Sequence, residues 1–194
     1  MSPSAYESAP RLELRTRAAW RRWLATHHGE ASGIWLVLAK KGAGGLSYDD
    51  AVEEALCFGW IDSRVRRLDE GRFQQWYCPR RSGSIWSALN KARVERLREA
   101  GLLAPAGLAR IEAAMADGSW GILDRVEALE MPEDLAAALA AVRGAEAGFS
   151  ALAASMRKPL LYWVLSAKRP QTRAGRVAAV VEAAAEGRAP SPPY

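Results

Sequence analysis

The 194-residue sequence predicts an α+β fold, with a small, mostly antiparallel sheet packed with helices and then a helical C-terminal part. Three observations predict it. Strand and helix periodicities alternate through the first half, one pair of period-two segments flanks a turn signal, and every segment after Pro105 is helical in character.

Residues 11–15 alternate charge with Leu12 and Leu14, the pattern of a short edge strand. Residues 18–27 place Trp20, Trp23 and Leu24 on one helical stripe, and Gly29 is a natural stop. Residues 33–39 (GIWLVLA) form a continuous apolar run of strand length, which predicts a central strand covered on both faces. The loop KKGAGG follows at 40–45. Ser47 then caps a helix with Asp49 and Asp50 in its first turn, where the dipole favours them, and Gly59 ends it. From Trp60 the period changes to two, so that Asp62, Arg64 and Arg66 share one face and Ile61, Ser63 and Val65 the other. Asp69 to Gly71 is the turn, and residues 72–78 return to complete a hairpin.

Ser84 is the expected cap of a helix through about Ala100. Later helices are expected at 106–117, 132–143, 159–168 and 173–187, with Pro105, Pro132 and Pro159 in first turns and Thr172 as the last cap. The two glycines of 143–150 predict a flexible joint. The chain divides into an α+β part (11–104) and a helical part (105–187) expected to pack as one domain, with flexible tails at 1–10 and 188–194.

Hydrophobic residues make up 49% and charged residues 25%, a balance that excludes wholesale disorder. No apolar run approaches the roughly 20 residues that cross a bilayer, so no membrane insertion is expected. The polar residues 1–10 lack the apolar core of a secretory signal, and Cys57 and Cys78 have no CxxC partner. A cytoplasmic location with two reduced thiols is the expectation. Net charge is +5, distributed as 0 over 1–59, +6 over 60–98, −6 over 99–150 and +5 over 151–194. Two explanations compete for that pattern, internal pairing of the basic segments with the acidic one or an anion-binding surface.

Signatures of dinucleotide, P-loop and nucleophile-elbow chemistry are missing, as is any zinc-ligand spacing, so no metal and no cofactor is expected. His27 and His28 are adjacent and read as surface imidazoles, and Cys57 as a small core residue.

Three segments carry candidate ligand-binding residues. The glycine loop offers Lys41 before a helix N-terminus, although Asp49 and Asp50 would repel an anion there. Between Phe58 and Leu97, Trp60, Tyr77 and Trp86 are interleaved with Arg64, Arg66 and Arg80, close in sequence to Asp62 and Asn90. Either these rings and cations face a polyanion, or the tryptophans are core and the arginines a solvated face. Arg169 and Arg173 crowd the positive end of the last helix, which calls for carboxylates from 99–150 or for a bound anion.

HHGEASGIWLVLAKKGAGGLSYDDAVEEALCFGWIDS, the PRR…SIWSALNKARVERL stretch and KPLLYWVLSAKRPQTRAGRV resemble the YdeI/OmpD-associated (bacteriocin-protection) family over about 11–187. The resemblance implies a protection or stress role and a porin partner in the envelope. It implies no reaction, catalytic residue or cofactor. Three functional readings follow: a binding protein for nucleic acid or another anionic ligand, a protein–protein adaptor using the C-terminal helices, or a cofactor-independent enzyme with a polar cleft around Asp62. The reading leans away from an enzyme.

Overall fold

A computed structural model describes Tyr6, residues 9–40 and residues 42–188. Lys41 and most of both expected flexible tails lie outside the described residues. The chain divides into two compact units, residues 1–117 and 118–194.

Unit 1 is a four-stranded mixed sheet with helices. In chain order it holds β1 (Arg11–Leu12), α1 (Arg17–His27), β2 (Ile34–Ala39), α2 (Tyr48–Cys57), β3 (Trp60–Arg67), β4 (Arg72–Pro79), α3 (Ala88–Glu99) and α4 (Pro105–Ala116). The sheet order is β1-β2-β4-β3, with β1 parallel to β2 and the other pairs antiparallel. As its apolar run predicts, β2 is central, and its first five residues are buried. Strand alternation sends Ile34, Leu36 and Leu38 to one face and Trp35 and Val37 to the other. Tyr77, paired with Ile34, meets Trp20 of α1 edge-on at 5.7 Å, which identifies the first face as the helix-covered one.

Local chemistry explains the helix ends. Thr16 accepts from the Ala19 N–H to start α1, and Ser47 accepts from the Asp50 N–H to start α2. Trp20 is fully buried and its indole donates to the Ala51 carbonyl at 3.0 Å, tying α1 to α2. Glu54, 2% exposed, receives both Arg17 and Arg21 at 2.6 and 2.7 Å. The helix expected from Ser84 starts at Ala88 instead, capped by Ser87. The Ile85 carbonyl is taken by a side chain, Arg80, so residues 84–87 stay irregular. The expected break before Pro105 also shifts, because α4 belongs to unit 1. A Cβ on Gly107 would stand 2.3 Å from the Cys57 carbonyl oxygen, so only glycine permits this approach.

Unit 2 is helical, with α5 (Ile122–Glu127), α6 (Glu133–Ala141), α7 (Ala145–Ala151), α8 (Ala154–Leu165) and α9 (Pro170–Ala185) around Leu135, Phe149, Leu160, Val164 and Val180. The expected flexible joint at 143–150 is corrected. Gly144 supplies the left-handed turn (φ 85°) and α7 follows, burying Ala145 and Phe149. Its second glycine is a packing device, since a Cβ on Gly148 would lie 2.0 Å from the Ala184 carbonyl oxygen of α9. Pro159 lies inside α8, which begins earlier than its proline suggests. Helix α9 starts at Pro170 with Arg169 at the cap, so Thr172 is not a cap.

Candidate functional site

The site begins with an irregularity in β3. Its pairing with β4 runs Trp60 to Pro79, Ile61 to Cys78 and Asp62 to Tyr77, then resumes with Val65 opposite Gln75. Ser63 and Arg64 therefore share the place opposite Trp76, a β-bulge that shifts the alternation by one residue. Asp62 falls on the helix-covered face with Tyr77 and Gln75, whereas Arg64 and Arg66 fall on the opposite one. The expected face common to Asp62, Arg64 and Arg66 is thus corrected. Arg64 instead lies 4.3 Å from the ring centroid of Tyr6, and Arg66 4.3 Å from that of Trp35.

On the helix-covered side, Asp62 Oδ2 accepts from the Tyr48 hydroxyl and from Gln75 Nε2, each at 3.0 Å. Both donors are neutral, so no guanidinium pairs with this carboxylate among the described residues. Tyr77 is fully buried, and its hydroxyl has no hydrogen-bond partner among the described residues. Burial, then the charge of Asp62, pushes its pKa far above the tyrosine range. The half-exposed Tyr48 is pushed up to about 12, first by burial and then by Asp62.

Arg80 follows β4, with its backbone N–H held by the Gly59 carbonyl at 2.9 Å. Only 4% of it is exposed. Its guanidinium carbon lies 3.6 Å from the centroid of the Trp86 ring. Nη1 reaches the Ile85 carbonyl at 3.3 Å and Ser84 Oγ at 3.5 Å, both long, and Nε has no partner among the described residues. Burial lowers its pKa to about 10, opposed by the neighbouring charge of Asp62. Arg93, also buried, is compensated in the ordinary way. It donates to Asp49 Oδ1 at 2.5 Å and to Asn90 Oδ1 at 3.2 Å, so Asn90 acts here as a positioning group for Arg93.

Asp62, Tyr77, Arg80, Trp86 and Asn90 were all visible as candidates, and all lie at this end of the sheet or in the segment that follows it. Trp60 is 1% exposed, packs edge-on to Trp20 and Trp23, and donates to the His28 carbonyl, so it is a core residue. Tyr48, Asp49 and Gln75 were missed. The period-two pattern could have found Gln75, which alternates with Tyr77 on β4.

The glycine loop forms one wall of a cleft of about 650 Å³ with Lys40, Tyr48, Asp49 and Phe73. Tyr48 is common to this cleft and to the Asp62 cluster. Cys57 is fully buried and its thiol is pushed up to about 11 by burial, which opposes a nucleophile role. In unit 2, Arg173 forks onto both oxygens of Asp134 at 2.6 and 2.8 Å, the internal carboxylate that the crowded helix end calls for. Arg169 stands exposed at the cap position. An apolar groove between α6 and α9, lined by Ala138, Val142, Ala174 and Val177, is the feature of unit 2 that an adaptor reading would use.

Residues 12–110 match the family model described as "Domain of unknown function (DUF8412)". Residues 128–187 match the one described as "Bacteriocin-protection, YdeI or OmpD-Associated", so the resemblance drawn from the sequence is carried by this C-terminal stretch. No curated protein and no solved structure matches the chain.

Proposed function

The chain belongs to the family of that domain of unknown function, whose model spans half of it, and from that premise we propose that unit 1 is a binding module for a small anionic ligand. The observation that carries the proposal is Arg80, a guanidinium 4% exposed whose Nε is unpartnered and which no carboxylate meets among the described residues. A buried cation left without a counter-charge costs several kcal/mol, and an anionic oxygen group would supply the missing acceptor. Tyr77, paired directly with Asp62 in the β3–β4 register, adds a second orphaned polar group. Burial of the rings favours a small ligand over a nucleic acid. Trp60, Trp76, Tyr77 and Trp86 are at most 4% exposed and present no faces on which bases would stack. A cytoplasmic location belongs to the same proposal, supported by the two unpaired thiols of Cys57 and Cys78.

The test is the arginine side-chain Nε–H spectrum of ¹⁵N-labelled protein, titrated with inorganic phosphate and acetate at constant ionic strength. A saturable shift of the Arg80 resonance, with Arg173 unmoved, is the expected result. Equal shifts of all arginines, or movement of Arg64 and Arg66 alone on adding an oligonucleotide, would overturn it.

A further inference from the structure

We infer that the sheet face opposite the helices of unit 1 docks a segment of a partner protein that presents a tyrosine beside a carboxylate. The chain's own Tyr6 occupies that seat. Trp35 and Trp76, paired across β2 and β4, lie on this face with Arg64 and Arg66. The two indoles stand at 67° with centroids 5.4 Å apart, and together they form a notch. Trp76 is backed by bare main chain, since a Cβ on Gly33 would come within 2.2 Å of its ring. Tyr6 meets Trp76 edge-on at 4.9 Å and Trp35 at 6.5 Å. Arg64 closes the top, its guanidinium carbon 4.3 Å from the tyrosine centroid. The main chain is gripped as well. The Trp35 indole N–H donates to the Tyr6 carbonyl at 2.7 Å, and the Trp35 backbone N–H to the Pro10 carbonyl at 3.0 Å.

Two features separate this seat from ordinary core packing. Tyr6 is half-buried and Arg64 and Arg66 are exposed, so the site opens to solvent, although the two indoles beneath are at most 4% exposed. Arg64 and Arg66 also meet no carboxylate among the described residues. Each lies on a ring, Arg66 at 4.3 Å from the Trp35 centroid, which fixes the guanidinium plane and leaves its N–H fork for a carboxylate. An acidic residue beside the aromatic anchor is what this pair of cations selects, and Glu7 directly follows Tyr6 in the sequence. The tether gives Tyr6 an effective concentration of about millimolar order, so the seat is shielded in the isolated chain and a partner has to compete for it.

The experiment is fluorescence anisotropy of a labelled peptide with the sequence of residues 2–9, SPSAYESA, titrated with the full chain of wild type and of Tyr6→Ala. Tyr6→Ala is expected to bind it saturably and at least about tenfold more tightly than wild type, whose own Tyr6 competes. Adding Arg64→Met to that chain should weaken binding about fivefold. A peptide carrying Tyr6→Ala should not bind, and one carrying Glu7→Gln should bind more weakly and with less dependence on salt. Adding Arg80→Met should leave the peptide affinity unchanged, so this seat and the anion site fail separately. A folded Tyr6→Ala chain that does not bind, that binds no more tightly than wild type, or that binds the tyrosine-free peptide equally would overturn the docking site. Binding indifferent to both Arg64→Met and Glu7→Gln would overturn the acidic partner. A wild-type chain that runs as a dimer while Tyr6→Ala runs as a monomer would make a second copy the occupant and overturn a foreign one. Far-ultraviolet circular dichroism checks the folding of each variant. Should Tyr6→Ala not fold, Tyr6→Leu, which keeps an apolar side chain against the indoles, takes its place with the same outcomes expected.

Discussion

Arg173 of unit 2 and Arg80 of unit 1 look alike in sequence, each a cation in a basic segment, and the structure treats them in opposite ways. Arg173 forks onto Asp134 with both partners substantially exposed, so its charge is neutralised within its own unit. Arg80 is taken almost wholly out of water, laid on Trp86, and given two long neutral acceptors. The first arrangement describes a structural pair. The second leaves a debt of charge that folding alone does not settle, and this is why the candidate site is placed in unit 1. The lesson is that basic composition locates cations, while only their partners tell which of them are available.

Substitutions sharpen the contrast. The largest effect is expected at Glu54, the carboxylate that Arg17 and Arg21 share. Glu54→Gln should destabilise unit 1 by about 3 kcal/mol in denaturant unfolding, the low end for breaking a buried pair because both arginines are partly exposed. Arg80→Met should act in the opposite direction and stabilise the ligand-free protein by roughly 1–2 kcal/mol, since it removes a buried charge that has no partner. The sign follows from linkage. With its pKa lowered to about 10 from 12.5, Arg80 costs stability in full below pH 10, and the cost is relieved as pH rises through that window.

Smaller changes are expected where charges are paired at the surface. Arg173→Met should lower the stability of unit 2 by about 0.5 kcal/mol, the discounted value for a solvent-screened pair. Arg173 holds the Asp134 pKa below its ordinary 3.8. The pair's contribution is thus complete above that value and is lost as pH falls through the lowered one, so acid unfolding of Arg173→Met should show a shallower dependence in this range. Arg64→Ala and Arg66→Ala should have effects of the same small size, about 0.5 kcal/mol each, as exposed cations resting on Tyr6 and Trp35. Neither should alter anion binding at Arg80.

Much of this was legible in the sequence, for reasons that can be named. The apolar run of β2, the stripe of α1, the Ser47 cap of α2 and the turn at 69–71 are local signals, and each element forms where its signal lies. Even the answer to the crowded start of α9 could be expected, because the acidic segment supplies Asp134. The bulge was not legible. Nothing in WIDSRVRR marks Ser63 and Arg64 as sharing one place, yet that single slip sends Asp62 to one face and Arg64 and Arg66 to the other. Helix α7 was hidden for a related reason. Gly144 and Gly148 read as flexibility, whereas one makes a left-handed turn and the other a close helix contact. For the site, the residue types were visible and their partners were not. Whether an arginine meets a carboxylate depends on tertiary register, as Arg80 and Arg93 show in the same basic segment.

The central claim is that Arg80 is a buried cation awaiting an anion, and thermal unfolding of wild type and Arg80→Met tests it directly, with and without acetate at fixed ionic strength. The account predicts that Arg80→Met begins with the higher midpoint and does not respond to acetate, while the wild-type midpoint climbs saturably towards it. A variant that begins lower than wild type, or an acetate response that survives the substitution, would contradict it.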